Sequence, residues 1–244
     1  MNNLQTKPEF IKRLDENDIT PNHCFNCLME TEKTIKKGNW KKFSKPIYYW
    51  YEMCDAEGKE IKRYVKKIKP ETVLEIGFGS GRTINVLLED KNDKKIYAVE
   101  KDIELFKIVK PLFESFNNVY LFQENVNKFL NGDMKYDLTF AMMNTLGNID
   151  SLETMRLIAN KSKHLIFTLY DQKHYKLRKE IYESKGHNDF FEKDKNYYFN
   201  DCWVKGLKSK TYSKKEIKDV CKAIGKNFTI KKISKLLFLV HIYD

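Results

Sequence analysis

The chain has 244 residues, 41% of them hydrophobic, and a formal net charge of +11. That length supports one α/β domain with a real core, and that apolar content excludes a disordered chain. The charge does not by itself establish a nucleic-acid surface: only five of the 45 basic residues are arginine (13, 63, 82, 156 and 178) and lysine is spread along the whole chain beside many Asn, Ile, Tyr and Phe, as an AT-rich genome would produce, whereas a phosphate-binding face more often clusters its charge and uses arginine forks.

Residues 1 to about 40 are polar, with a lysine-rich patch at 33–42 and no signal-type apolar run at the start. Within them His23-Cys-Phe-Asn-Cys27 carries one C-x-x-C and no second pair at zinc-finger spacing, so no metal is expected. The five cysteines (24, 27, 54, 202 and 221) form no secreted-type framework, which points to reduced thiols and a cytoplasmic protein. An aromatic cluster follows, Trp40, Phe43, Tyr48, Tyr49, Trp50 and Tyr51, and residues 1–55 are read as an N-terminal covering segment. Ile61, Tyr64, Val65 and Ile68 recur at helical spacing, and Pro70 stops that helix.

From Thr72 strands and helices alternate. Strands are expected at 72–76, 95–100, 119–123, 136–143 and 164–170. Helices are expected at 80–89, at 102–116 with a bend or split at Pro111, and from a capping box at Asp150 and Glu153 to about Asn160. The alternation argues for a parallel sheet with helices on both faces. Residues 171–212, charged and rich in Tyr and Phe, break the rhythm and read as an insertion, partly helical and partly extended. Ser213 and Glu216 form a second capping box, opening a helix that ends near Gly225. The β-rich runs 228–233 and 236–243 read as a hairpin, and the longer of them is far too short to span a bilayer.

The most informative stretch is Glu75-Ile-Gly-Phe-Gly-Ser-Gly81: an acidic strand end, a glycine turn, then a helix start. Bare backbone in such a turn admits a ligand closely, and the helix that follows aims free N–H groups at it, which suits a carboxylate. The spacing differs from the dinucleotide fingerprint G-x-G-x-x-G, being one residue shorter at the last step and led by an acid. It resembles the first motif of class I S-adenosylmethionine-dependent methyltransferases. The resemblance covers about residues 59–153 well and the C-terminal hairpin loosely. It implies an α/β fold: a seven-stranded, mostly parallel sheet with helices on both faces and a C-terminal antiparallel hairpin. Residues 56–244 would then be the cofactor-binding domain, with a substrate-side insertion at about 171–212.

The same resemblance implies S-adenosylmethionine as cofactor. Glu75 would receive the ammonium of its methionine moiety, and Gly77, Phe78, Gly79 and Gly81 would form the loop around it. Glu100, at the tip of the second expected strand with Lys101 after it, has two acceptor oxygens for two vicinal ribose hydroxyls; the alternative is a surface acid at a helix start. After the third strand, Asn125 stands where the family commonly has an acid for the adenine amino group. Its carbonyl could accept that bond and the Val126 N–H could reach a ring nitrogen, with Glu124 as the fallback and a simple turn cap as the alternative.

Met142-Met-Asn-Thr-Leu-Gly-Asn148 resembles small-molecule N-methyltransferases of the glycine and sarcosine type, and Asn144 could face cofactor or substrate. Methyl transfer from a sulfonium needs alignment and exclusion of water more than covalent help. The candidates for a catalytic role are therefore few: Asn144, Tyr170 with Asp171 at the end of the fifth strand, and Tyr51 with Glu52 ahead of the first helix; packing or surface placement is the alternative for each. Aromatic flanks at 40–51 and 190–203 could hold a cationic amine, or could be plain hydrophobic cover. The expectation is a methyltransferase acting on a small molecule, with an amine as acceptor. An RNA or protein methyltransferase is the runner-up, and a non-catalytic cofactor-binding module is the alternative of another class. The sequence specifies no oligomeric state.

Overall fold

The computed structural model describes residues 45–90, 92–184, 187, 189–200 and 207–244. The lysine patch at 33–42, the His23–Cys27 motif, Trp40, Phe43, Cys202 and Trp203 lie outside the described residues.

The first helix among the described residues, α1 (Lys45–Ile68), has 24 residues and runs unbroken through position 55. It starts well before the periodic segment at 61–68, so Tyr51 and Glu52 lie inside it rather than ahead of it. Trp50, Cys54, Glu57, Ile61, Tyr64 and Val65 are its buried stripe, and the carboxylate in the middle of that stripe is what breaks the apolar periodicity. Lys69 takes a left-handed φ of 50° and Pro70 follows, ending the helix.

Five strands then alternate with helices: β1 (Thr72–Ile76), α2 (Arg82–Leu88), β2 (Lys95–Glu100), α3 (Ile103–Phe113), β3 (Val119–Gln123), α4 (Val126–Phe129), β4 (Tyr136–Ala141), α5 (Thr145–Ile149), α6 (Leu152–Asn160) and β5 (Ser162–Asp171). α3 is not split at Pro111; the proline falls in its last turn, where the ring costs one hydrogen bond and the helix stops two residues later. The cap of α6 is Ser151, which accepts from the Thr154 N–H at 3.2 Å, not Asp150, which sits one residue earlier in a left-handed conformation. Beyond β5 come α7 (Tyr175–Ser184), β6 (Phe190–Lys193), β7 (Asn196–Phe199), β8 (Leu207–Ser209) and β9 (Thr211–Tyr212), then α8 (Lys214–Ile224), β10 (Asn227–Lys232) and β11 (Leu237–Tyr243).

The main sheet has the order β10-β11-β5-β4-β1-β2-β3. β1 to β5 pair in parallel, and β11 runs antiparallel to both β5 and β10. β1 is buried on both faces: Val73 joins Ile61, Ile84 and Val109 from α1, α2 and α3, while Leu74 and Ile76 join Met155, Ile158 and Ile217 from α6 and α8. Helices thus cover both faces, as a parallel sheet requires. Two features lay beyond the sequence reading. β5 outruns β4, and β9 pairs with its protruding end at Tyr170 and Asp171. β6, β7 and β8 form a separate antiparallel sheet, whose aromatics Phe190, Tyr197 and Phe199 pack on Tyr182 of α7 in a small core of their own. Among the described residues no helix is long and apolar enough to cross a membrane.

Far from the strand tips, His164 of β5 and His241 of β11 meet with ring nitrogens 3.1 Å apart, and Tyr64 packs on the second ring. Burial, with His164, Lys67 and Arg63 nearby, pushes His241 from 6.5 down to about 4, and burial lowers His164 as well. The unfolded chain therefore binds more protons than the folded one across that window, so this contribution is complete above pH 6.5 and is lost as pH falls towards about 4. Urea midpoints should drop between pH 7 and pH 5 (roughly the window of a histidine) and the drop should shrink in His241→Gln. Equal drops in the two proteins would remove the pair as the cause.

Candidate functional site

The carboxyl ends of β1, β2 and β4 open onto one edge, where an open α/β sheet binds its ligands. There the turn after β1 is built tightly. The Gly77 N–H donates to the Val99 carbonyl and the Gly81 N–H to the Phe78 carbonyl, each at 2.8 Å. Gly79 and Gly81 are left-handed, with φ of 51° and 76°. A Cβ on Gly81 would stand 2.5 Å from the Phe113 ring, so packing of α3 demands glycine there. A Cβ on Gly79 would meet none of the described residues within 4 Å, so among them the space over that residue is open. Phe78 turns into the core beneath the loop, near Phe106, and offers the site only its backbone.

Glu75 ends this strand with its carboxylate 3% exposed. Among the described residues its Oε2 has no hydrogen-bond partner. Burial pushes it up to about 8; the Thr83 hydroxyl and the Arg82 charge pull the other way, and Glu100 and Glu57 add to the rise. Glu100 accepts from the Gly79 N–H at 3.2 Å and the Asp102 N–H at 3.1 Å. It too is raised by burial, against the pull of those two N–H groups.

A cavity of about 490 Å³ lies between the tips of β1 and β2, the turn after β3 and the start of α5. Gly77, Glu100, Lys101, Asn125 and Val126 line it, all five among the residues expected at a cofactor, and Glu124 lines it as well. Val99, Leu105 and Ile149 supply apolar wall. Its size suits a nucleoside-bearing ligand. The Asn125 carbonyl caps α4, accepting from the Asn127 N–H at 2.9 Å, which leaves a second lone pair on that oxygen.

No family model matches the sequence, and no curated protein matches it. Solved structures do match. An S-adenosylmethionine-dependent methyltransferase from Clostridium acetobutylicum superposes with a TM-score of 0.56 at 16% identity, over 91% of this chain and 100% of the other. A second, from Aquifex aeolicus, gives 0.52 at 17% identity over 86% and 96%. Magnesium protoporphyrin IX methyltransferase from Synechocystis, with bound S-adenosylmethionine, gives 0.53 at 8% identity over 83% and 86%.

The chain has the class I methyltransferase fold. On that fold the remaining sequence-chosen residues lie off the cavity. Asn144 is fully buried, left-handed at φ 63°, and caps α5. Its Oδ1 accepts from the Tyr170 N–H at 3.1 Å and its Nδ2 donates to the Lys210 carbonyl at 3.1 Å and to Asn148 at 3.3 Å. The amide therefore ties β4, β5 and the segment before β9 together. Tyr170 is buried beside Tyr51, with the Arg178 guanidinium 4.6 Å from its ring centre; burial holds its phenol well above the ordinary range. Of the aromatic flanks, Trp50 and Tyr51 join Tyr170 in that cluster, while Tyr197 and Phe199 belong to the insertion's own core.

Three contacts around these turns escaped the sequence reading. Leu207 of β8 reaches the cavity wall. Asp150 anchors that strand: Lys208 and Lys210 pair with its carboxylate and the Tyr212 hydroxyl lies 3.3 Å away. Burial opposes ionisation of Asp150, and the two lysines outweigh it, holding the group below the usual carboxylate range. Glu57 and Arg82 form a buried ion pair behind the glycine turn. A carboxylate at a core position of a helix was the available signal for it.

Proposed function

We propose that the chain is an S-adenosylmethionine-dependent methyltransferase whose acceptor is a small molecule, an amine being the favoured class. The observation that carries the cofactor is the buried Glu75 oxygen without a partner, at the end of a turn open above Gly79. A buried acceptor of this kind is costly unless something supplies a donor, and the ammonium of a methionine moiety would do so. Glu100 would take the ribose hydroxyls, and the Asn125 carbonyl and Val126 N–H the adenine edge. Gly77, Gly79 and Gly81 would give the close backbone approach, with Phe78 supporting the loop from below and Lys101 at the rim.

When bound, S-adenosylmethionine supplies a methyl already activated by its sulfonium. The chain's own task is to orient the acceptor and exclude water. An amine acceptor must arrive unprotonated or lose its proton to a base. The Tyr170 phenol stays protonated at neutral pH and the Asn144 amide is committed to protein partners. Asn144, Tyr170 and Tyr51 are all buried, and we assign no general base among them. The small-molecule reading rests on the likeness of residues 142–148 to glycine- and sarcosine-type enzymes. A cytoplasmic setting accords with Cys54 and Cys221 standing as buried thiols outside any disulfide.

Calorimetric titration with S-adenosylhomocysteine should give saturable binding to the intact chain, abolished in Glu100→Ala/Gly79→Arg. Undetectable binding to the wild-type chain would sink the proposal. Labelled-methyl incorporation in cell extract then separates an enzyme from a binding module. The basic charge keeps RNA as the second acceptor class; RNA affinity that falls steeply with salt would favour it, and no binding at low salt would reject it.

A further inference from the structure

The Glu57 carboxylate is wholly buried and fully used. One oxygen accepts from the Met143 N–H at 2.9 Å and from the Thr168 hydroxyl of β5; the other accepts from the Arg82 guanidinium. Arg82 also donates to the Cys54 carbonyl, one turn back on α1, at 3.3 Å. One side chain thus joins α1, the start of α2 directly after Gly81, the interior of β5 and the turn that leaves β4.

That turn has an unusual backbone. Met143 and Asn144 both take positive φ, 51° and 63°, and neither is glycine. Left-handed conformations are unfavourable for residues with a Cβ, and they persist only where surrounding contacts hold them. The turn also sets the next residue. Thr145 donates to the Met142 carbonyl from its N–H at 3.1 Å and from its hydroxyl at 2.7 Å. Its methyl sits so close to Gly77 that a Cβ there would come within 2.8 Å. A chain of contacts therefore runs from Glu57 through Met143 and Thr145 to the glycine turn.

We propose that Glu57 is a positioning residue: it fixes the strained Met143–Asn144 turn and locks it to the glycine turn, so that the acceptor side and the cofactor side of the site keep one geometry. This rests on the methyltransferase reading. A buried ion pair that merely tethered α1 would affect global stability alone.

The test is amide hydrogen exchange on the full chain, together with S-adenosylhomocysteine titration. In Glu57→Ala the Met143 to Thr145 amides should exchange faster by about tenfold or more, beyond any change in the hairpin at 227–243, and the affinity should weaken by about tenfold. Glu57→Gln keeps an acceptor oxygen but turns an amide NH₂ towards a donor, Arg82, and should show part of both effects. The pair Glu57→Gln/Arg82→Met removes that conflict and should restore protection at Met143 to within about threefold of wild type. If Glu57→Ala fails to fold, Glu57→Gln against the pair supplies the same comparison. Protection at Met143 that tracks the hairpin in every variant overturns the proposal, as does an affinity unmoved while the turn loosens. A wild-type chain that binds no S-adenosylhomocysteine overturns the methyltransferase reading instead, and exchange at Met143 and Gly79 still decides whether Glu57 holds the two turns together.

Discussion

Titration with S-adenosylhomocysteine at neutral pH should release nearly one proton per chain, and the affinity should climb as the pH is raised from about 6 to about 8. The source is Glu75. Burial pushes its carboxyl up to about 8, so the free chain holds it mostly protonated at neutral pH. A ligand ammonium needs the carboxylate, so binding must expel that proton. Each pH unit below about 8 then costs up to tenfold in affinity, or about 1.4 kcal/mol, until the bound-state pKa is reached. The ligand's own α-amino group loses its proton at higher pH, which caps the gain on the alkaline side. Calorimetry in two buffers of different ionisation enthalpy counts the protons directly. Glu75→Gln should bind more weakly and release none. An affinity flat between those limits in the wild-type chain would mean that no ammonium reaches Glu75.

The same group has a consequence for stability, with the sign reversed from the histidine pair. Its folded pKa lies above the unfolded 4.5, so the folded chain binds more protons between 4.5 and about 8. That contribution is complete below 4.5 and is lost as pH rises to about 8, roughly 3 kcal/mol by neutral pH. The His164–His241 pair instead withdraws stability in acid. These two contributions therefore have opposite slopes, and ligand binding that deprotonates Glu75 should remove the loss on the alkaline side.

Much of the candidate site is legible because it is local. Glu75, Gly77, Gly79 and Gly81 stand in one seven-residue run, and Glu100 closes the next strand, so spacing alone brings them together. The parallel sheet with helices on both faces followed from the alternation of short apolar runs with capped helices, and the terminal antiparallel hairpin of the seven-stranded layout from the resemblance. What was not legible is long-range. Glu57 meets Met143 across 86 residues: its place on the apolar stripe of α1 signals a buried acid, but no local pattern names its partner. Asp150 looked like a cap by its spacing to Glu153, yet its partners are Lys208 and Lys210 in a segment with no register to read. α1 was read short because Glu57 interrupts its stripe and aromatic residues carry middling helix propensity. The pairing of β9 with the end of β5 rests on two residues, too few for a periodicity.

The glycine turn also contains a contrast that separates folding from binding. Gly81→Ala should unfold the chain early. The new Cβ would lie 2.5 and 2.7 Å from two atoms of the Phe113 ring, which is buried between α3 and the sheet and cannot swing away. Overpacking of that kind costs about 1–3 kcal/mol, and the left-handed φ of 76° adds about 1–2 more for a residue with a Cβ. For a domain of this size the sum lowers Tm by roughly 5–15 °C. Gly79→Ala carries only the conformational cost, since nothing lies within 4 Å of its Cβ, and should lower Tm by only a few degrees, about 2–6 °C. Binding should follow the reverse order of sensitivity. Gly79 faces open space above a Glu100 carboxylate that accepts its N–H, so any side chain there competes with the ligand rather than with the protein. Gly79→Arg should therefore abolish S-adenosylhomocysteine binding while the chain still melts cooperatively. A Gly79 series whose melting falls as far as that of Gly81→Ala, or whose ligand affinity stays unchanged, would place the ligand somewhere other than over this turn.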